Sequence, residues 1–163
     1  MTGNLRQTRA MAGKRSAGIV LWRTGPDGVE VLLGHMGGPF WTRKDAGAWS
    51  IPKGEYDDDE EPAAAARREF TEELGLPVPD GDLVELGTVK QSGGKTVTAW
   101  ALAGDLDPAA VVPGTFELEW PPRSGRRQAF PEVDRVAWFD LGTAREKIVK
   151  AQAAFLDRLG AQV

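Results

Sequence analysis

From Ser16 onward, apolar runs alternate with turn residues, and the period of each run names an element. Residues 17–23 (AGIVLWR) and 29–36 (VEVLLGHM) read as strands, and Gly25-Pro26-Asp27-Gly28 between them predicts a hairpin. Residues 37–47 read as a loop, and 49–51 as a short strand delivering Pro52-Lys53-Gly54. Residues 83–91 and 96–102 read as two more strands, joined by Ser92-Gly93-Gly94-Lys95. Thr98, Trp100 and Leu102 alternate with smaller residues, as expected of a sheet whose faces differ. Residues 115–120 alternate and stop at Pro121-Pro122, 121–131 read as a loop carrying three arginines, and 135–139 as a last short strand. Residues 144–159 place Ile148, Ala151, Phe155 and Leu159 on one face, which predicts a single closing helix. Residues 1–15 are polar and aperiodic, predicting a poorly ordered basic tail ahead of one folded domain over 16–163.

The longest helical signal lies inside residues 54–76, GEYDDDEEPAAAARREFTEELGL. Glu61 precedes Pro62, and proline is favoured at the first helical position. Asp57, Asp58, Asp59, Glu60 and Glu61 put negative charge at the positive end of the helix dipole, with the aspartates otherwise facing solvent. Gly75 followed by Leu76 and Pro77 is a helix stop. At roughly 100° per residue, Ala66, Phe70 and Leu74 line one stripe, which suits a core. Glu69, Glu72 and Glu73 share another stripe about 100° wide, and Arg68 is four residues before Glu72. Three carboxylates on one face repel one another unless cations sit among them.

Composition narrows the chemistry. The 163 residues are 41% apolar and 27% charged, ordinary for a globular protein. A net charge of −4 argues against a partner of duplex nucleic acid. The absence of cysteine excludes disulfides, thiolate zinc sites and thiol catalysis, and a single histidine excludes any two-imidazole site. No apolar run approaches the ~20 residues of a membrane span, so the expectation is a cytoplasmic protein without a membrane partner.

Gly54, five residues, Glu60, seven residues, Arg68-Glu69-Phe70, one residue, Glu72-Glu73, one residue and Gly75-Leu76 match the Nudix box at every position. A chance match is roughly one in 10⁹ per starting point at average residue usage. The chain therefore resembles the Nudix family, over about residues 16–160. The resemblance implies an α/β/α sandwich with a central mixed β-sheet and the box as a loop-helix-loop. It implies a Mg²⁺- or Mn²⁺-dependent pyrophosphohydrolase that cleaves a nucleoside diphosphate linked to another moiety. Glu69, Glu72 and Glu73 would then hold the metal with the backbone carbonyl of Lys53, and Glu60 and Arg68 would orient them. Hard oxygen ligands independently suit those ions. The segments WSIPKGE, KTVTAWA and FELEWPP are most similar to bacterial members grouped near dinucleoside polyphosphate hydrolases. ADP-ribose or nucleotide-sugar cleavage, oxidised nucleoside triphosphate cleavage and a non-catalytic nucleotide sensor are the alternatives.

Outside the box, Glu132 in FPEVDRVAWF is a candidate base before the last strand, with Glu117 and Glu119 as alternatives, one of which is expected to face the cleft. Lys53, Arg43, Lys44, Lys90 and Lys95 are candidate phosphate contacts, of which two are expected to serve. Among six tryptophans, Trp41 and Trp120 are candidates to stack on a base, while Trp22, Trp100 and Trp138 suit the core. His35 ends an apolar strand and is expected to be structural. The partner is a nucleotide-type small molecule, and a homodimer is left open.

Overall fold

The computed structural model describes residues 14–163, so most of the expected tail lies outside the described residues. Strand β1 (Arg15–Gly25) and β2 (Gly28–Met36) form the expected hairpin, but pair only from Trp22↔Val31 to Gly25↔Gly28. Beyond Trp22 they splay. The gap is filled by β3 (Trp49–Ser50), antiparallel to β2, and β4 (Lys53–Glu55), antiparallel to β1. Strand β5 (Val84–Lys90) pairs antiparallel with β6 (Thr96–Ala103), which lies parallel to β1. Strands β7 (Thr115–Glu119) and β8 (Arg127–Pro131) form a separate two-stranded sheet, and β9 (Val133–Asp140) returns to the outer side of β2.

Alternation along β1 explains the layers. Ala17, Ile19 and Leu21 face helix α1 (Pro62–Leu74), joining Ala65, Ala66, Phe70 and Leu74 in one buried cluster. Val20 faces the other way, towards Ile148, Phe155, Leu156 and Leu159 near the C-terminus. The result is a mixed sheet between helices. Complete burial of Phe70 and Leu74 contributes about 1.5–3 kcal/mol each. Among the described residues, no helix is long and apolar enough to cross a membrane.

Helix α1 has the predicted ends. The Glu61 carboxylate accepts from the N–H groups of Ala63 and Ala64, and Pro62 opens the first turn. Gly75 adopts φ 68°, and a Cβ there would lie 2.2 Å from the carbonyl oxygen of Val112, so only glycine fits this stop.

Three expectations are corrected. The loop over 121–131 is half strand, because β8 pairs with β7 from Thr115↔Pro131 to Glu119↔Arg127. The single closing helix is broken into α2 (Leu141–Lys147), a 3₁₀ turn (Lys150–Gln152) and α3 (Ala153–Gln162). Ile148 takes an extended backbone and bridges to Trp49, whose carbonyl accepts from Val149. A tertiary strand contact thus overrides the helical period. Finally, neither Glu117 nor Glu119 faces the cleft. They are two apart on one strand and share its exposed face, where Glu117 pairs with Arg127 at 3.1 Å and Glu119 accepts from the Arg123 N–H.

Candidate active site

A cleft of about 570 Å³ lies beside β4, and α1 forms one wall of it. Glu69, Glu72 and Glu73 line that wall, Lys53, Gly54 and Glu55 of β4 line the next, and Glu132 enters from between β8 and β9. Gln91 and Lys95 come from the connection between β5 and β6, and Ser16, Gly114 and Thr115 complete the lining. Gly54 leaves room for the Glu69 carboxylate, because a Cβ there would fall 1.8 Å from its Oε2.

Arg68 organises the carboxylates. Its guanidinium grips Glu60 through two hydrogen bonds of 2.6 and 2.8 Å, and donates to Glu69 at 2.7 Å and Glu72 at 3.0 Å. Such a bidentate clamp fixes the guanidinium plane and gives Glu69 and Glu72 a common anchor. Glu73 is held differently, accepting the backbone N–H of Lys53 at 2.9 Å. Burial above all, with smaller contributions from the charges of Glu132 and Glu69, pushes the Glu73 carboxyl up to about 8 against the opposing pull of that N–H. Burial likewise raises Glu69, with Arg68 opposing, and raises Glu132, with the Glu69 charge adding to it. Arg68 holds Glu60 below its ordinary value.

The cleft thus presents five carboxyl groups (Glu55, Glu69, Glu72, Glu73 and Glu132) against two ammonium groups, Lys53 and Lys95. Five carboxyl groups against two ammonium groups call for a cation, above all if the ligand is itself an anion. Among the described residues, no three potential ligands converge on one point as they stand. The reason is visible: Glu69 and Glu72 are turned onto Arg68, and Glu73 onto Lys53. The donor chemistry nonetheless fits Mg²⁺ or Mn²⁺, since all the groups are hard oxygens on one surface.

A smaller cavity of about 220 Å³ adjoins, lined by Met36, Gly37, Trp41, Ser50 and Phe116, and shares Lys53, Glu73 and Glu132 with the cleft. Of the five candidate cations, Lys53 and Lys95 line the cleft, and Arg43, Lys44 and Lys90 line neither cavity. Lys44 instead lies over the Trp41 ring, 5.1 Å from its centre, and Lys90 is exposed at the end of β5. Trp120 also stands apart, packed edge-on against Phe40 at 5.5 Å. His35 is fully buried and braces the loop carrying Trp41, with Nε2 donating to the Lys44 carbonyl at 2.6 Å and Nδ1 facing Asp134. Gln91, Ser16, Thr115 and Phe116 went unnoticed in the sequence, because uncharged residues carry no local signal. Strand alternation beside Lys90 was the one available hint for Gln91.

Comparison with known proteins agrees with this geometry. The sequence model of the NUDIX domain family matches residues 13–159. A Nudix hydrolase from M. smegmatis, RenU, is 26% identical, covering 91% of this chain and 84% of that one, with a TM-score of 0.56. An Ap4A hydrolase from C. elegans is 22% identical, covering 91% and 96%, with a TM-score of 0.61, a likeness of fold. An octanoyltransferase from Myxococcus xanthus is 35% identical over 102 residues, 63% of this chain, which spans about a quarter of that relative's length. The box spacing, the sandwich and a family match over most of the chain coincide: the chain belongs to the NUDIX family.

Proposed function

We propose that the protein is a Mg²⁺- or Mn²⁺-dependent pyrophosphohydrolase that cleaves a nucleoside diphosphate linked to another moiety, with dinucleoside polyphosphates as the preferred class. One observation carries this reading: Glu69, Glu72 and Glu73 from one helix face and Glu132 from the opposite side line one cleft with Lys53. In it, Glu69, Glu72, Glu73 and the carbonyl of Lys53 would hold the metal. When bound, the metal neutralises the polyphosphate and lowers the pKa of water. Arg68 sets the resting positions of Glu69 and Glu72, and the Lys53 N–H sets that of Glu73. Glu132 is placed to accept the proton of the attacking water at its carboxylate, and the ammonium groups of Lys53 and Lys95 bind phosphoryl oxygens. Trp41 and Phe116, in the adjoining cavity, suit a nucleobase.

The preference for dinucleoside polyphosphates is supported by the softer sequence similarities and by a cleft continuous with an aromatic pocket. A panel of diadenosine polyphosphates, ADP-ribose, nucleotide sugars and oxidised nucleoside triphosphates, assayed with Mg²⁺, Mn²⁺ or a chelator, tests it. Metal-dependent turnover, fastest on the diadenosine compounds, is expected. Fastest turnover of another class would replace the substrate assignment. Silence across the panel, with tight binding of nucleotide, would identify a sensor instead.

A further inference from the structure

Behind the cleft lies a buried polar relay that the reaction described above does not use. Gln152, in the 3₁₀ turn that interrupts the C-terminal helices, is fully buried. Its Oε1 accepts the backbone N–H of Ile51 at 3.1 Å, and a backbone N–H only donates. The other end of the Gln152 amide is therefore its NH₂. That group donates to Ser50 Oγ at 3.1 Å and to the side chain of Gln91 at 3.4 Å. Ser50 spends its own hydrogen on the Ile51 carbonyl at 2.8 Å and is free to accept. It follows that the Gln91 atom facing Gln152 is Oε1, and the atom left for the cleft is Nε2, with two N–H donors. Among the described residues this Nε2 has no hydrogen-bond partner. The backbone of Gln91 is also held, its N–H donating to the Lys95 carbonyl at 2.7 Å.

We propose that Gln91 is a substrate-contacting residue whose amide N–H groups bind phosphoryl oxygens, with Gln152 as the positioning residue that fixes which end of that amide faces the cleft. This rests on the reading of the cleft as a polyphosphate site. A neutral donor complements Lys53 and Lys95 here, because an amide binds a phosphoryl oxygen without being drawn onto the five cleft carboxyl groups. The Ile51 N–H fixes which end of the Gln152 amide is its NH₂, and the 3.4 Å contact passes that orientation to Gln91.

The test pairs calorimetric ADP binding in Mg²⁺ with KM and kcat on the best substrate. Gln91→Ala should raise the ADP Kd and KM about tenfold, the loss expected of a hydrogen bond to a charged group, with most of the loss in KM. Gln91→Glu keeps an acceptor for Gln152 but turns an oxygen to the cleft, and should lose more, with an unchanged melting temperature. Gln152→Met should raise KM towards the Gln91→Ala level, yet add nothing to KM when Gln91 is already alanine. Values within twofold of wild type for both Gln91 variants would overturn the proposal, as would a Gln152→Met effect of equal size in both backgrounds. If the wild type binds ADP but hydrolyses nothing, the hydrolytic reading fails while the Kd values still decide this one. A wild type that binds no ADP overturns both.

Discussion

Glu72 and Glu73 are adjacent in sequence and opposite in circumstance. Glu72 is exposed and anchored on Arg68, whereas Glu73 holds a carboxyl deep in the cleft, pushed up to about 8 by burial. Between the ordinary carboxyl value near 4.5 and that raised value, the folded protein keeps a proton that the unfolded chain has lost. Stability of the metal-free protein should therefore fall as pH rises through this window, and the penalty should be complete above it. Raising the pH from about 5 to about 9 in chelator is expected to lower the melting temperature, at roughly 2–4 °C per kcal/mol for a chain of this size. Mg²⁺ should restore most at the alkaline end, where it meets an ionised Glu73. A melting temperature that is flat with pH would contradict the burial of this carboxyl. At this scale the sequence was half legible: the box glutamates stood out through charge and spacing. Gln91 did not, because its placement depends on Gln152, 61 residues away.

Among elements, α1 was readable end to end because its determinants are local: Glu61 and Pro62 at one end, Gly75 at the other, and one apolar stripe between. Gly75→Ala should cost at least about 1–3 kcal/mol for its left-handed backbone, and more for the contact with Val112. Urea denaturation would show this as a lower midpoint at unchanged slope, and an unaltered midpoint would refute the stop assigned here. The C-terminal helices were misread for the opposite reason. Residues 144–159 keep a helical period, but Ile148 is captured by Trp49 and Gln152 by Ser50 and Ile51, contacts about 100 residues distant. Strand β8 was invisible because Arg127, Gln128 and Ala129 are all exposed and show no alternation.

For the whole molecule, the sandwich followed from strand and helix order, while the splay of β1 and β2 did not. That splay comes from β3 and β4, short segments whose pairing is set by distant partners. One edge of the sheet, β5, is also managed at this scale. Arg158 donates to the carbonyls of Leu86 at 2.8 Å and Thr88 at 3.3 Å, and Gln162 to that of Glu85 at 3.3 Å. These side chains from α3 occupy the acceptors a second strand would need. Arg158→Ala should expose them, and light scattering is expected to show mass rising with concentration relative to wild type. An identical mass profile would mean that Arg158 does not guard this edge.

The central claim is that the glutamate face of α1 is a metal-dependent hydrolytic centre. Its most direct test is the steady-state rate of diadenosine tetraphosphate hydrolysis in Mg²⁺ or Mn²⁺ for the wild type and Glu72→Gln, with melting curves confirming that both are folded. The wild type should turn over only with the divalent ion, and the variant should lose roughly a hundredfold or more in kcat. Undiminished hydrolysis by Glu72→Gln, or wild-type turnover indifferent to the metal, would contradict the account.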